Sequence, residues 1–317
     1  MPEGPGRHCP IAYRYGAGSL AAPATLHVDT LWVAGGLYGN PETLARLLEL
    51  YDAEPGDKAL VFNGDFHWFD VAREEFRRVN DAVLAHRATR GNVETELALP
   101  AAGAGCGCAY PEWVGDAEVE RSNRIIERLR STAAQEPAAL RALAALPQHL
   151  VAEVGGERVA IVHGDADSLA GWGFSQECLA TADGLGAARA ACAIAGVRVF
   201  ASSHTCLPVL QAIDEAAIVN NGAAGMPNFS GTRFGLATRI SVRPRAGTLY
   251  AMRAAGLEVE AHPISYDHAA WCARFLASWP AGSDAHMSYF SRIANGPRYP
   301  LASALRTDPA AAVRQAA

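Results

Sequence analysis

The stretch Val61-Phe62-Asn63-Gly64-Asp65-Phe66-His67-Trp68-Phe69-Asp70 places two carboxylates and an imidazole directly behind a short apolar run. A run that stops abruptly at Asn-Gly-Asp reads as a buried strand delivering an acid to its C-terminal edge. Ligands of open α/β sheets bind in the crevice at such edges. Asp65, followed at once by His67 and Asp70, suits a metal ion; the alternative is a polar turn behind a core strand. Turns of the same kind recur along the chain: Gly36-Leu37-Tyr38-Gly39-Asn40, Gly91-Asn92-Val93-Glu94, His163-Gly164 and Ser203-His204-Thr205-Cys206. Their number favours the metal.

Those turns need strands and helices to hold them. Thr30 to Ala34 reads as a strand, Pro41 opens a helix with Leu44, Leu47 and Leu48 on one face, and Ala59 to Asn63 is the next strand. Strand–helix–strand is the unit of a parallel sheet. Helices are expected at 74–88, 118–132, 137–146, around 187–195 and at 268–279, with residues 89–94 as a turn. Leu150–Val154 and Arg158–Val162 flank Gly155-Gly156 as a hairpin. Further strands are expected at 197–201, 209–213, 217–220, 237–242, 249–253 and 257–261. The second half is richer in antiparallel pairs, so the expectation is an α/β fold, one domain built on two sheets. Residues 1–25 read as an irregular surface segment, 26–265 as the domain with a Cys-Gly-Cys insertion at about 100–116, and 266–317 as a helix and tail packed on it.

The chain has 317 residues, half of them hydrophobic, and a net charge of -6 with no basic block. That balance disfavours nucleic acid as a partner. An anionic substrate would need a metal or local arginines; Arg233, Arg292 and Arg298 are candidates, against a default of surface charge. No apolar run reaches about 18 residues, so no membrane span is expected. The N-terminus lacks the pattern of a secretory signal, and the seven cysteines form no regular framework. Together these read as free thiols in a reducing cytoplasm.

The ordered turns resemble the calcineurin-like metallophosphoesterases over about Leu31 to Asn221. The family's order is Asp-x-His, Gly-Asp-x-x-Asp, Gly-Asn-His-Glu/Asp, a lone His and Gly-His-x-His. The later Asn220-Asn221-Gly222-Ala223-Ala224-Gly225 resembles a turn that often follows the last motif there. The resemblance implies a two-sheet mixed β-sandwich flanked by helices, in four layers α/β/β/α. It implies hydrolysis of a phosphate ester, a small phosphorylated substrate, and one or two divalent ions, Mn, Fe or Zn. Asp65 matches the residue that bridges two metals in the family, and Asn92, His163 and His204 match the other ligands of one of them. This set of two imidazoles, an amide oxygen and a carboxylate suits any of the three ions.

The chain departs from the pattern elsewhere. Gly36 and Tyr38 stand at Asp-x-His, Cys206 at the final His, Val93 at the His thought to assist the leaving group, and Trp68 at the second Asp of Gly-Asp-x-x-Asp. One reading is a one-metal enzyme with His67, beside Asp70, as general acid. Another has a second metal held by substitutes: His67, Asp70, Cys206 or the pair Cys106 and Cys108. Cys206 is either a thiolate ligand or a small residue filling a lost histidine's space. Cys106 and Cys108 are either a thiolate pair over the site or part of a small-residue surface loop. Tyr38 is expected to fill the missing metal's space; Glu94 is either an orienting acid or a helix-start acid, and Asp165 and Asp167 are either orienting acids or exposed loop acids. A metal- or nucleotide-binding regulator without turnover, and altered iron–thiolate chemistry, remain as alternatives.

Overall fold

The computed structural model describes residues 4–307. In chain order the strands are β1 (Leu26–Val28), β2 (Thr30–Ala34), β3 (Lys58–Asn63), β4 (Arg87–Thr89), β5 (His149–Val154), β6 (Glu157–Val162), β7 (Val199–Ser202), β8 (Val209–Ile213), β9 (Ala216–Asn220), β10 (Gly235–Ser241), β11 (Tyr250–Ala254), β12 (Leu257–Ile264) and β13 (Leu305–Arg306). The α-helices are α1 (Pro41–Asp52), α2 (Arg73–Leu84), α3 (Asn92–Ala98), α4 (Asp116–Ala133), α5 (Pro137–Ala144), α6 (Ala182–Ala195), α7 (His268–Ser278) and α8 (Ser291–Asn295).

Two mixed sheets result. The first runs β11-β12-β10-β2-β3-β4 and the second β1-β5-β6-β7-β9-β8-β13. The period-2 alternation of a strand sorts each one's side chains into two layers. Leu31, Val33, Ala59 and Val61 face Val159, Ile161, Val199 and Val219 of the second sheet in the central core. Trp32, Ala34, Leu60 and Phe62 point the other way, against Leu44, Leu47, Phe76, Val79 and Ile126 of α1, α2 and α4 and Phe275 of α7. On the outer face of the second sheet, Ala160, Val162, Phe200 and Ile218 pack on Ala188, Ala191 and Ala195 of α6. These layers are the expected α/β/β/α sandwich, and the strands read as continuous apolar runs because both of their faces are covered.

α1 starts where Asn40 caps it, its Oδ1 accepting from the N–H groups of Glu42 and Thr43, with Pro41 in the first turn. The hairpin across Gly155-Gly156 forms as read, with β5 and β6 antiparallel. Three local expectations fail for tertiary reasons. α2 ends at Leu84, not at 88, because Arg87 to Thr89 pair with Val61 to Asn63 in a parallel ladder. Residues 92–98 are a helix, not part of a turn. The N-terminal segment is not a surface tail: Tyr13 and Leu20 are fully buried, and Arg7 donates to the carbonyls of Pro111 and Val114. Among the described residues no helix is long and apolar enough to cross a membrane.

Candidate metal centre

Four strand ends converge at one edge of the sandwich. β3 ends in Gly64-Asp65, β4 leads to Gly91-Asn92, β6 ends at His163, and β7 leads to His204. Asn63 joins these ends across the two sheets. Its Nδ2 donates to the carbonyl of Val162 (2.8 Å) and to Ser203 Oγ (2.9 Å), and its Oδ1 accepts from Thr89 Oγ1 (2.9 Å).

The turns are packed too closely for side chains at two positions. A Cβ on Gly64, whose φ is +74°, would lie 2.5 Å from the Gly91 nitrogen and 2.6 Å from His163 Nδ1. A Cβ on Gly91 would overlap Asp65 Oδ1. Asp65 itself holds φ at +52°, a sparsely populated conformation for a residue with a Cβ. Glu94 secures this backbone from below. Its buried carboxylate accepts from the N–H of Asp65 (2.8 Å), of Gly91 (2.8 Å) and of His67 (3.3 Å). Burial and the neighbouring Asp65 raise the Glu94 pKa.

At the convergence, His163 Nε2 lies 3.3 Å from Asp65 Oδ2, 3.2 Å from Asn92 Oδ1 and 3.3 Å from His204 Nδ1. The opposite nitrogen of each ring is committed to a carbonyl: His163 Nδ1 to Asn63 O (2.8 Å) and His204 Nε2 to Cys108 O (2.9 Å). Each must therefore donate its proton outward, which leaves the lone pairs of His163 Nε2 and His204 Nδ1 facing one another. Asn92 is fixed in the same sense, because its Nδ2 donates to Cys106 O (2.9 Å) and its Oδ1 must point inward. Two imidazole lone pairs, an amide oxygen and a carboxylate oxygen aimed at one point repel one another unless a cation lies among them. Among the described residues, Asp65, His163 and His204 are the one group of three or more His, Cys, Asp or Glu with ligand atoms all within 4.8 Å. The donor set fits a divalent ion, and each imidazole is oriented through its outer nitrogen as metal-bound histidines usually are.

The electrostatics of His204 and Asp65 agree, whereas for His163 burial is outweighed by the adjacent Asp65 carboxylate and the pKa is raised. Burial and the adjacent His163 push His204 down to about 4, so its imidazole is neutral at pH 7 with a lone pair to give. Burial opposes ionisation of Asp65, but the neighbouring histidines outweigh it and its pKa is lowered.

The other sequence candidates fall elsewhere. His67 is fully buried, stacked on Phe76 at a ring separation of 3.9 Å, with Nδ1 2.6 Å from Asp70 Oδ2. Asp70 also accepts from the N–H of Trp68 (3.0 Å). The pair braces the 66–70 turn, and neither residue lines the cavity above the donors. Cys206 borders that cavity outside the donor cluster; its Sγ lies 2.8 Å from Tyr38 Oη. Burial raises both pKa values, so both groups keep their protons at neutral pH. A Cβ on Gly36 would overlap the ring of Tyr38, so the tyrosine fills the space that a side chain at position 36 would use. Asp165 receives the N–H groups of Asp167, Ser168 and Gly173 and shapes its own loop. Arg292 is spent on the carbonyls of Pro227 and Cys206, and Arg233 and Arg298 do not line the cavity.

Cys106 and Cys108 correct the expectation of a surface loop: both are buried, and both are free thiols. Their loop serves the site mainly through the carbonyls of residues 106 and 108, which orient Asn92 and His204, with a longer contact from Asn92 Nδ2 to the Cys108 thiol (3.5 Å). Sequence reading also missed Trp172, whose Nε1 donates to Cys108 O (3.1 Å), and Tyr110, Glu118 and Tyr289, which line the cavity. A glycine- and cysteine-rich loop was the visible signal for the carbonyls; nothing in the residue types pointed to Tyr289.

No family model matches this sequence, and no curated protein gives a significant match. Solved structures do. A metallophosphoesterase from Sphaerobacter thermophilus superposes with a TM-score of 0.54 at 17% identity, covering 85% of this chain and 100% of that one. A hypothetical protein from Pyrococcus horikoshii OT3 gives 0.54 at 14% identity, covering 86% and 100%. The chain thus has the calcineurin-like metallophosphoesterase fold, the architecture that its ordered strand-end turns imply.

Proposed function

We propose that this chain is a metal-dependent hydrolase of phosphate esters acting on a small metabolite. The observation that carries the reading is the inward-facing quartet of Asp65, Asn92, His163 and His204, with both imidazole tautomers set by backbone carbonyls. These residues would hold one divalent ion, Mn, Fe or Zn. Such an ion, when bound, polarises a phosphoryl oxygen and lowers the pKa of its water.

The chain's own groups supply the rest. Tyr38 and Cys206 border the cavity with their protons in place, hydrogen-bonded to one another, and the Cys206 thiol also reaches the His204 carbonyl. The aromatic walls limit water around the reacting ester. Hydrolysis puts the water oxygen on phosphorus, breaks one P–O ester bond and returns a proton to the leaving alcohol. His67, remote from the cavity, is not positioned to deliver that proton.

A second reading keeps the metal and loses turnover. The Tyr38–Cys206 contact, which fills the family's other ligand positions, is the observation that favours it. Metal analysis of the purified protein, followed by turnover of a phosphoester panel with Mn, Fe and Zn, separates the two. One equivalent of metal and metal-dependent turnover that Asp65→Asn abolishes is the expected result. Metal without turnover on any ester supports the regulator, and no metal in any preparation overturns both.

A further inference from the structure

The cavity above the donor cluster has a volume of about 250 Å³. Its walls are aromatic: Tyr38, Trp68, Tyr110, Trp172 and Tyr289. Neighbouring rings stand steeply to one another, Trp68 to Tyr289 at 81° and Tyr110 to Trp172 at 50°. Such rings enclose a rounded group better than the flat face of a base. The charged side chains lining it are two acids, Asp65 at the floor and Glu118 at the wall; among the described residues no lysine or arginine does so. Arg121 pairs with Glu118 through Oε2 at 2.6 Å and lies outside the lining set.

This is an unusual wall for a phosphate pocket. Any anion beyond the phosphoryl group bound at the floor would meet five electron-rich rings and a carboxylate whose charge Arg121 partly offsets. A cation would meet its complement chiefly in the rings. Ring faces attract cations through their quadrupoles, most strongly when the cation is weakly hydrated, and quaternary ammonium groups are the best-matched ligands of this kind.

Resting on the proposed phosphoesterase activity, we infer that the substrate is a phosphoester carrying a quaternary ammonium group, with that group seated among Trp68, Tyr110, Tyr289 and Glu118. In a phosphocholine diester the two charges lie a few bonds apart, so the phosphate reaches the donor cluster while the trimethylammonium contacts the rings.

The test compares p-nitrophenyl phosphorylcholine with its neutral isostere, p-nitrophenyl 3,3-dimethylbutyl phosphate. In both, water adds to phosphorus, the P–O bond to the aryl group breaks and p-nitrophenolate leaves with a proton released to solvent. The wild-type protein should favour the choline ester in kcat/KM by roughly tenfold, the scale of a desolvated cation–π contact. Glu118→Gln and Tyr289→Leu should reduce that ratio towards one, and Tyr289→Phe, which keeps the ring face, should preserve it. A ratio cancels losses from imperfect folding. Turnover of both esters without preference overturns the inference and leaves the hydrolase reading standing.

If neither ester turns over, the phosphoester panel decides the hydrolase reading and tryptophan fluorescence decides the cage. Saturable quenching by choline but not by 3,3-dimethylbutanol, lost in Tyr289→Leu, upholds it; equal or absent responses overturn it.

Discussion

Tyr38 reaches across the site to place its hydroxyl 2.8 Å from the Cys206 thiol, and its ring occupies the space beside Gly36. The relationship joins Gly36, Tyr38 and Cys206, three of the positions read in the sequence as departures from the pattern its turns resemble. A tyrosine can lie there only because position 36 has no side chain, and a short residue at 206 leaves room for its hydroxyl. The three residues therefore form one packing solution, which underlies the proposal of a single metal ion.

Elemental analysis of the purified protein should find about one metal per chain. Gly36→Asp alone should not add a second ion, because the new side chain meets the Tyr38 ring; it should instead destabilise the fold by roughly 1–3 kcal/mol through overpacking. The triple variant Gly36→Asp, Tyr38→His, Cys206→His should raise the metal content to two. A wild-type protein with two metals would refute the argument.

Glu94 binds three backbone N–H groups under the Asp65 turn and touches none of the four inward-facing donor atoms. Glu94→Gln keeps the size but puts an NH2 where one carboxylate oxygen accepted. Metal affinity, measured by competition with a chelator, should fall by roughly 10–100-fold, the usual cost of disturbing an orienting partner. Unchanged affinity would show that the turn holds its shape without this carboxylate.

The Cys-Gly-Cys loop holds Asn92 and His204 chiefly through the carbonyls of Cys106 and Cys108, and the Cys108 thiol adds only a 3.5 Å contact from Asn92 Nδ2. The double variant Cys106→Ala, Cys108→Ala should retain metal affinity to better than about tenfold. A larger loss, or the disappearance of a thiolate-to-metal absorption band, would make a thiol a ligand.

A buried charge network at the opposite edge of the first sheet sets the acid response. Glu54 accepts from Arg239 at 2.9 Å and from Arg245 at 2.5 Å, and Arg239 also donates to Glu260 at 2.7 Å. Burial works against the Glu54 carboxylate, but the hydrogen bonds from Arg239 and Arg245 win and hold its pKa at about 2, below the ordinary 4.5. Because the folded value is depressed, the contribution is complete above about pH 4.5 and disappears as pH falls through about 2. The difference corresponds to roughly 3 kcal/mol. Glu54→Gln should lower stability by about that much at pH 7 and flatten the loss between those limits, as read from denaturant midpoints across the range.

Much of this architecture was legible in the chain. Residues 30–34, 59–63 and 158–162 are apolar runs ending in Gly or His, and their hydrophobicity leaves little choice but burial on both faces. The order of the turns pointed to the fold, and the structure gathers Asp65, Asn92, His163 and His204 from four of those turns. Where local pattern failed, long-range pairing was the cause: β4 drew Arg87 out of a helical run, and Tyr13 left the surface to donate to Glu96 at 2.6 Å.

His67 and Cys106 mark the boundary most clearly. Residue type and nearness to Asp65 made the first a candidate acid, and thiol chemistry made the second a candidate ligand. Only the folded chain shows His67 turned under Phe76 and Cys106 acting through its carbonyl. Sequence determined which donors exist and at which strand ends they stand, because strand periodicity and turn chemistry are local. The tertiary structure decided which donors meet, which nitrogen of each ring is free, and that aromatic residues from 68, 110, 172 and 289 share one cavity. Those outcomes depend on how two sheets, a loop and the C-terminal segment pack together, and no local pattern encodes that packing.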